Sequence, residues 1–93
     1  GFETMRRKIN ELMLQTEQMI STGRYDLYQE TLNIADQCKD ELSVMRKDVF
    51  DRMQHEKLNN LKASLLYLNI LQESQEFLSV MRHQLRAAKK FGE

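Results

Sequence analysis

The chain contains no proline and no tryptophan, and only three glycines and one cysteine among its 93 residues. Proline and glycine are the residues that most often interrupt helices and form tight turns, so their scarcity favours long helices. No apolar stretch of strand length is bounded by turn residues, and β-branched residues are few. We therefore expect an all-α fold in a single domain, because a chain of this length can bury one modest core.

The single cysteine, Cys38, excludes an internal disulfide and suits a reducing compartment. It lies at a core spacing of a predicted helix with neither histidine nearby in sequence, which favours a buried, inert thiol over a nucleophile. The chain also lacks a glycine-rich phosphate loop, an H-E-x-x-H motif and a nucleophile elbow. We expect neither enzymatic activity nor a cofactor.

The chain also has no formal net charge, since fourteen basic residues balance fourteen acidic ones. No global field therefore attracts nucleic acid or an anionic membrane. Basic residues nevertheless cluster near the end of the chain, at Arg82, His83, Arg86, Lys89 and Lys90. Cations suit the C-terminus of a helix, and the same residues could form a patch for phosphate, lipid head groups or a partner protein. Aromatic residues are too sparse there to indicate binding of nucleic acid by stacking.

The longest nearly apolar run covers residues 63–71, which is far shorter than the roughly 20 residues of a membrane-spanning helix. It belongs to the most apolar segment, residues 58–91, where two adjacent rows of side chains recur at helical spacing. The first row is Leu61, Leu65, Leu68, Leu71, Leu78 and Leu85, and the second is Tyr67, Ile70, Phe77, Met81 and Ala88. A stripe this wide should be buried against two other helices.

Apolar spacing predicts helices over residues 3–22, 26–54 and 58–90. The near-heptad repeat in the second helix predicts coiled-coil packing, and we expect an antiparallel up-down-up three-helix bundle. The alternative is one continuous helix over residues 26–90 that is covered by a partner chain, because the second joint contains no glycine or proline.

Local signals mark the first joint more clearly than the second. Gly23 occupies the position of a left-handed C-terminal cap. Asp26 is positioned to cap the second helix, and Gln29 lies three residues later, where the reciprocal capping residue belongs. The second turn is expected near residues 55–58, without a comparable signal.

The first helix is the shortest, so it should cover only part of the other two. The apolar residues expected to lack cover are Val49, Phe50, Met53, Leu58 and Leu61. Contiguous exposed apolar surface usually marks a contact site. Because the chain begins with Gly1 and not methionine, we interpret it as a fragment of a longer chain. Either upstream residues extend the first helix or two copies pair here, and Phe50, Met53 and Leu58 join the basic residues as a candidate interaction surface.

Two other groups of polar residues could carry a site. Carboxylates lie one turn apart at Asp36 and Asp40, Asp48 and Asp51, and Glu73 and Glu76, and Asp51 is four residues from His55. Such pairs are common on solvated helices, so we assign no metal ligand. Gln72, Ser74 and Gln75 interrupt the apolar stripe of the third helix. They mark the edge of the core, form a polar layer that sets the helix register, or form a ligand-facing patch.

Residues 62–78 and 81–91 resemble the last helix of PhoU-like three-helix repeats, and residues 32–42 resemble the middle helix. The pattern is most similar to the cytosolic C-terminal region of bacterial sodium/phosphate cotransporters. Members of this family often bind metal through an E-x-x-x-D pattern. Glu73 could supply the glutamate, but Phe77 stands where the aspartate would be, so no metal ligand is carried over.

The resemblance implies a non-enzymatic regulatory domain on the cytoplasmic side of the cell membrane, as part of a membrane protein. It would tune phosphate uptake or signalling by contacting the transporter portion of the same or a partner chain, with a homodimer as a further expectation and no nucleic acid partner. The alternative is a generic helical interaction or oligomerisation module unrelated to phosphate.

Overall fold

The structure, a computed structural model, describes residues 1–92 except for the side chains of residues 58 and 59. It consists of α1 (Phe2–Thr22), α2 (Tyr28–Met53) and α3 (Leu58–Gly92). Each helix contacts the other two, and the molecule is elongated, with extents of 54 × 20 × 16 Å. The predicted all-α three-helix bundle is confirmed.

The first turn follows the glycine signal but not the capping signal. Gly23 adopts φ 71° and ψ 11°, and its N–H donates to the Met19 carbonyl at 2.9 Å. The predicted capping box is wrong. Asp26 lies in the turn because α2 begins two residues later than expected, and the N-cap residue, Leu27, makes no side-chain capping bond.

The second turn closes without glycine or proline. The N–H of His55 donates to the Arg52 carbonyl at 3.0 Å, and the Lys57 carbonyl accepts from the N–H groups of residues 60 and 61 at 3.0 Å each. The Glu56 carboxylate accepts a hydrogen bond from the Ser64 hydroxyl at 2.7 Å. A carboxylate close to the N-terminus of α3 also interacts favourably with the positive end of the helix dipole. The continuous helix considered for residues 26–90 is therefore not formed.

The core runs between the inner faces of the three helices. Its main cluster consists of Met5, Leu12, Ala35, Cys38, Leu42, Val49, Leu71, Leu78 and Met81. A second cluster of Met19, Leu32 and Leu85 lies at the end nearer the first turn. Burial of these side chains is the main favourable term for folding, at roughly 1.5–3 kcal/mol for each large aliphatic residue.

The apolar stripe of α3 is only partly buried, which corrects the prediction that both rows face the core. Leu65 of the first row is exposed, and so are Ile70 and Phe77 of the second. Two neighbouring helices cover only one side of α3, so these three residues lie at the boundary with solvent.

At the N-terminal end of α1, the Phe2 ring meets the Tyr67 ring of α3 edge to face at 6.0 Å. The start of α1 therefore lies level with Tyr67 of α3.

Replacing Gly23 with alanine should destabilise the bundle by about 1 kcal/mol, because a Cβ disfavours a positive φ. Apart from the two chain neighbours of Gly23, no residue has a heavy atom within 4 Å of the added methyl group, so the cost reports the backbone conformation alone. The measurement is the urea midpoint of the helical circular dichroism signal. Gly92→Ala is the matched control, since Gly92 does not have a positive φ. An unchanged midpoint for Gly23→Ala would contradict the left-handed cap.

Candidate interaction surfaces

Two of the basic residues near the end of α3, Arg82 and Lys89, contact α2. Nε of Arg82 lies 3.0 Å from Oδ1 of Asp36. That N–H is not aligned for a hydrogen bond, whereas Nη2 donates to Oδ2 at 3.4 Å. Arg82 therefore binds α2, through a partly solvated ion pair that stabilises the fold by under about 1 kcal/mol.

Lys89 also contacts α2. Its ammonium nitrogen lies 5.0 Å from the centroid of the Tyr28 ring, within the range of a cation–π interaction. The side chains of His83, Arg86 and Lys90 are exposed. Their spacing of three and four residues places them on one face of α3, which we call the basic stripe. Of the five predicted basic residues, Arg82 and Lys89 thus contact α2, and the other three form this stripe.

The polar interruption of α3 is organised around Gln75. Its Nε2 donates to the Lys39 carbonyl at 2.9 Å and to the Ser43 hydroxyl at 2.7 Å. Its Oε1 accepts from Nη1 of Arg46 at 2.7 Å. Gln72 is exposed and makes one contact of 3.5 Å with Glu76 on its own helix. Of the two interpretations, the contacts of Gln75 match a polar layer between α2 and α3 that sets their register.

Successive contacts between α2 and α3 advance by one heptad. Asp36 meets Arg82, and seven residues later Ser43 meets Gln75, which is seven residues earlier in α3. The next step of an antiparallel ladder places Phe50 opposite Leu68. Leu68 is half-buried against the core, whereas Phe50 remains 59% exposed. The outer edge of this helix pair thus changes from charged to polar to apolar along its length.

Phe50 belongs to an apolar surface near the second turn, and we call Phe50, Met53, Leu61 and Leu65 the joint-end patch. Phe50 and Leu65 are exposed, and Met53 and Leu61 are half-buried. Val49 was expected to lack cover, but it is buried in the main core cluster with Met5 and Leu71. The side chain of Leu58, also predicted here, lies outside the described residues.

Sequence reasoning missed a second surface on α3, which we call the outer seam. Its nine residues alternate in steps of three and four, and every one of them is exposed. They are Ala63, Leu66, Ile70, Glu73, Phe77, Val80, Gln84, Ala87 and Phe91. The side chain of Leu66 is 64% exposed and that of Phe91 95%. The heptad spacing is present in the sequence. It is hidden there because Ile70 and Phe77 also fit the second apolar row, which was expected to face the core.

The candidate carboxylate pairs do not assemble into a metal site. In the part of the chain that the structure describes, no three His, Cys, Asp or Glu side chains are close enough to hold one ion. Asp36 forms an ion pair with Arg82.

No described helix is long and apolar enough to cross a membrane.

Cys38 is 1% exposed and lies in the main core cluster. Burial is the main cause that raises the pKa of its thiol, and the Glu41 carboxylate raises it further, while Lys8 acts in the opposite direction. Since the thiolate is the nucleophile, both burial and protonation suppress reactivity.

Replacing Gln75 with alanine should lower the free energy of unfolding by about 1–2 kcal/mol, because three hydrogen bonds between α2 and α3 are lost. Gln72→Ala is the matched control and should change stability by less than about 0.5 kcal/mol. Urea titration of both variants provides the comparison. Equal stability of the two variants would show that Gln75 does not hold the helices together.

Cys38 in the folded chain should react with iodoacetamide at least about tenfold more slowly than in urea-unfolded chain at the same pH, because the native thiol is buried and its pKa is raised. The folded state should also lose stability as pH rises above the ordinary pKa of a thiol, since the unfolded chain then releases the proton more readily. Mass spectrometry measures the alkylation rate. Comparable rates in the folded and unfolded chain would contradict the buried position.

Comparison with known proteins adds no relative, since no protein-family model, curated protein or solved structure matches this chain.

Proposed function

We propose that this chain is a helical protein–protein interaction domain, and that it regulates a sodium-dependent phosphate transporter from the cytoplasmic side of the membrane. The observation that carries the interaction role is the exposure of large apolar side chains at helical spacing, in the joint-end patch and in the outer seam. Contiguous apolar surface of this kind typically marks a binding site.

The link to phosphate transport rests on the resemblance of residues 32–42, 62–78 and 81–91 to PhoU-like repeats. The joint-end patch is the surface that we assign to the transporter portion. Its aromatic side chain, Phe50, is exposed, and aromatic anchors contribute strongly to interface energies. Met53 and Leu61 of the same patch are half-buried. The basic stripe would add a second, positively charged contact surface farther along α3.

A generic oligomerisation module unrelated to phosphate is the second candidate. The heptad spacing of the outer seam favours it, since such a seam accepts any complementary helix and requires no ligand.

The test places aspartate at both Phe50 and Leu65 in the full-length protein and measures phosphate uptake in cells shifted between low and high phosphate. Losing an aromatic anchor costs about 2 kcal/mol of binding, or about 30-fold in affinity, so uptake should no longer respond to the shift. Leu14→Asp with Val44→Asp is the matched control, because both residues are exposed and lie outside both surfaces.

Circular dichroism of the purified variants should show unchanged helix content. If uptake in the folded Phe50→Asp, Leu65→Asp variant responds to phosphate like the parent, the transporter role is wrong and the generic module stands.

A further inference from the structure

We propose that the outer seam binds the outer seam of a second copy of this chain, antiparallel, with Phe77 of each copy beside Val80 of the other. The pairing rests on the interaction role proposed above, but it uses a surface other than the joint-end patch. It follows from the spacing, from the polar residues of the seam and from the position of α1.

The spacing shows that α3 has two helix-binding faces. The inner face carries Leu71, Leu78 and Leu85, which are almost completely buried against α1 and α2. The outer seam repeats in steps of three and four over residues 63–91, and seven of its nine residues are apolar. A strict repeat of this kind is the pattern by which two helices pair along their length. A helix packed only against its own core needs no second such repeat.

The two polar residues of the seam select the register. With Phe77 beside Val80 of the second copy, Glu73 lies beside Gln84, so an amide meets a carboxylate twice by symmetry. The apolar residues are matched as well, because Ile70 meets Ala87 and Leu66 meets Phe91. This pairing covers the Phe91 ring, which is otherwise 95% exposed.

Other arrangements place the polar residues badly. A parallel pair in register would set Glu73 against Glu73 of the second copy, which is a like-charge contact in the seam. An antiparallel pair shifted by one heptad would set the Glu73 carboxylate against the Phe77 ring and Gln84 against Leu66. Unpaired polar groups in such positions cost free energy, so these arrangements are disfavoured.

The residues beside the seam support the same register. Glu76 and His83 precede the seam positions Phe77 and Gln84 and are exposed. In the proposed pair, Glu76 of each copy lies near His83 of the other, where the imidazole can donate to the carboxylate. The shifted antiparallel pair would instead bring Glu76 near Glu76, and Lys62 near Lys90.

The position of α1 fits the same two-fold axis. The axis passes between residues 78 and 79 of α3, level with the middle of α1, because Phe2 contacts Tyr67 at one end and Ile20 and Ala88 line a common cavity at the other. Two copies of α1 would therefore overlap along their length and complete a four-helix arrangement with the two copies of α3.

The outer side of α1 is complementary to itself about this axis. Arg6, Asn10, Met13, Glu17 and Ile20 repeat in steps of four and three, and all but the half-buried Met13 are exposed. Antiparallel overlap brings Arg6 of each copy near Glu17 of the other. Within one copy, Arg6 makes an exposed contact of 3.8 Å with Glu3, which is weak enough to exchange.

The contact is large enough for a specific dimer. From Leu66 to Phe91 the seam extends about 38 Å at 1.5 Å per residue. It offers five large apolar side chains per copy, namely Leu66, Ile70, Phe77, Val80 and Phe91. At on the order of 100 Å² each, the two copies reach the roughly 1,000 Å² expected of a specific interface before α1 is included.

The register is tested with two single-cysteine chains, Glu73→Cys and Gln84→Cys, each in a Cys38→Ala background. Mixed and oxidised, they should form the mixed disulfide dimer at least about tenfold faster than either chain forms a dimer alone. In the proposed pair residue 73 faces residue 84 of the second copy, and neither position faces its own counterpart. Rapid dimerisation of Glu73→Cys alone would show a parallel pair and overturn the proposal.

Association itself is tested by light scattering of the purified chain from 1 to 100 µM. A mass twice that of the 93-residue chain is expected, and Phe77→Asp with Val80→Asp should halve it while helix content is retained. Phe50→Asp with Leu65→Asp should leave the dimer intact, so failure of the transporter role and failure of the dimer are separate results. A monomer at every concentration overturns the proposal, and this outcome does not depend on whether the aspartate variant folds.

Discussion

The antiparallel contact between α2 and α3, fixed by Gln75, is the interaction on which the rest of the bundle depends. One side chain binds a backbone carbonyl, a hydroxyl and a guanidinium of the neighbouring helix. Because these partners lie within eight residues of α2, a slip of one heptad would break all three contacts. Apolar packing supplies most of the stability of such a pair, but it tolerates slips that polar contacts do not.

Once this register is set, the surface chemistry of the molecule follows from it. Arg82 and Lys89 are drawn onto α2, which leaves a narrower basic stripe. Phe50 lies at the outer edge of the helix pair and remains exposed. The inner face of α3 is committed to the core, and the apolar residues of the outer seam lie away from that face. The contacts that stabilise the bundle and the proposed interaction surface thus lie on different sides of α3.

Much of the fold was predictable from the sequence, because few residues that break helices are present and apolar spacing identifies helical faces. The turn at Gly23 was predictable because glycine alone readily adopts a positive φ. Ile70 and Phe77 of the second row of α3 were assigned wrongly to the core, since periodicity shows which residues share a face but not how far neighbouring helices extend over it. Val49 was misjudged for the same reason.

The candidate surfaces were less predictable than the fold. A run of basic residues looks uniform in the sequence, and only the partners Asp36 and Tyr28 distinguish Arg82 and Lys89 from their neighbours. The role of Gln75 likewise depended on residues about thirty positions away in the chain, which local pattern does not reveal.

The most direct measurement of the α2–α3 register is the set of nuclear Overhauser contacts made by the Phe50 ring. The heptad ladder from Asp36 and Arg82 through Ser43 and Gln75 predicts contacts from this ring to the Leu68 methyl groups. Contacts from the Phe50 ring to the side chain of Gln75, or to Leu61 without Leu68, would show that the helices are displaced by a heptad and would contradict the register.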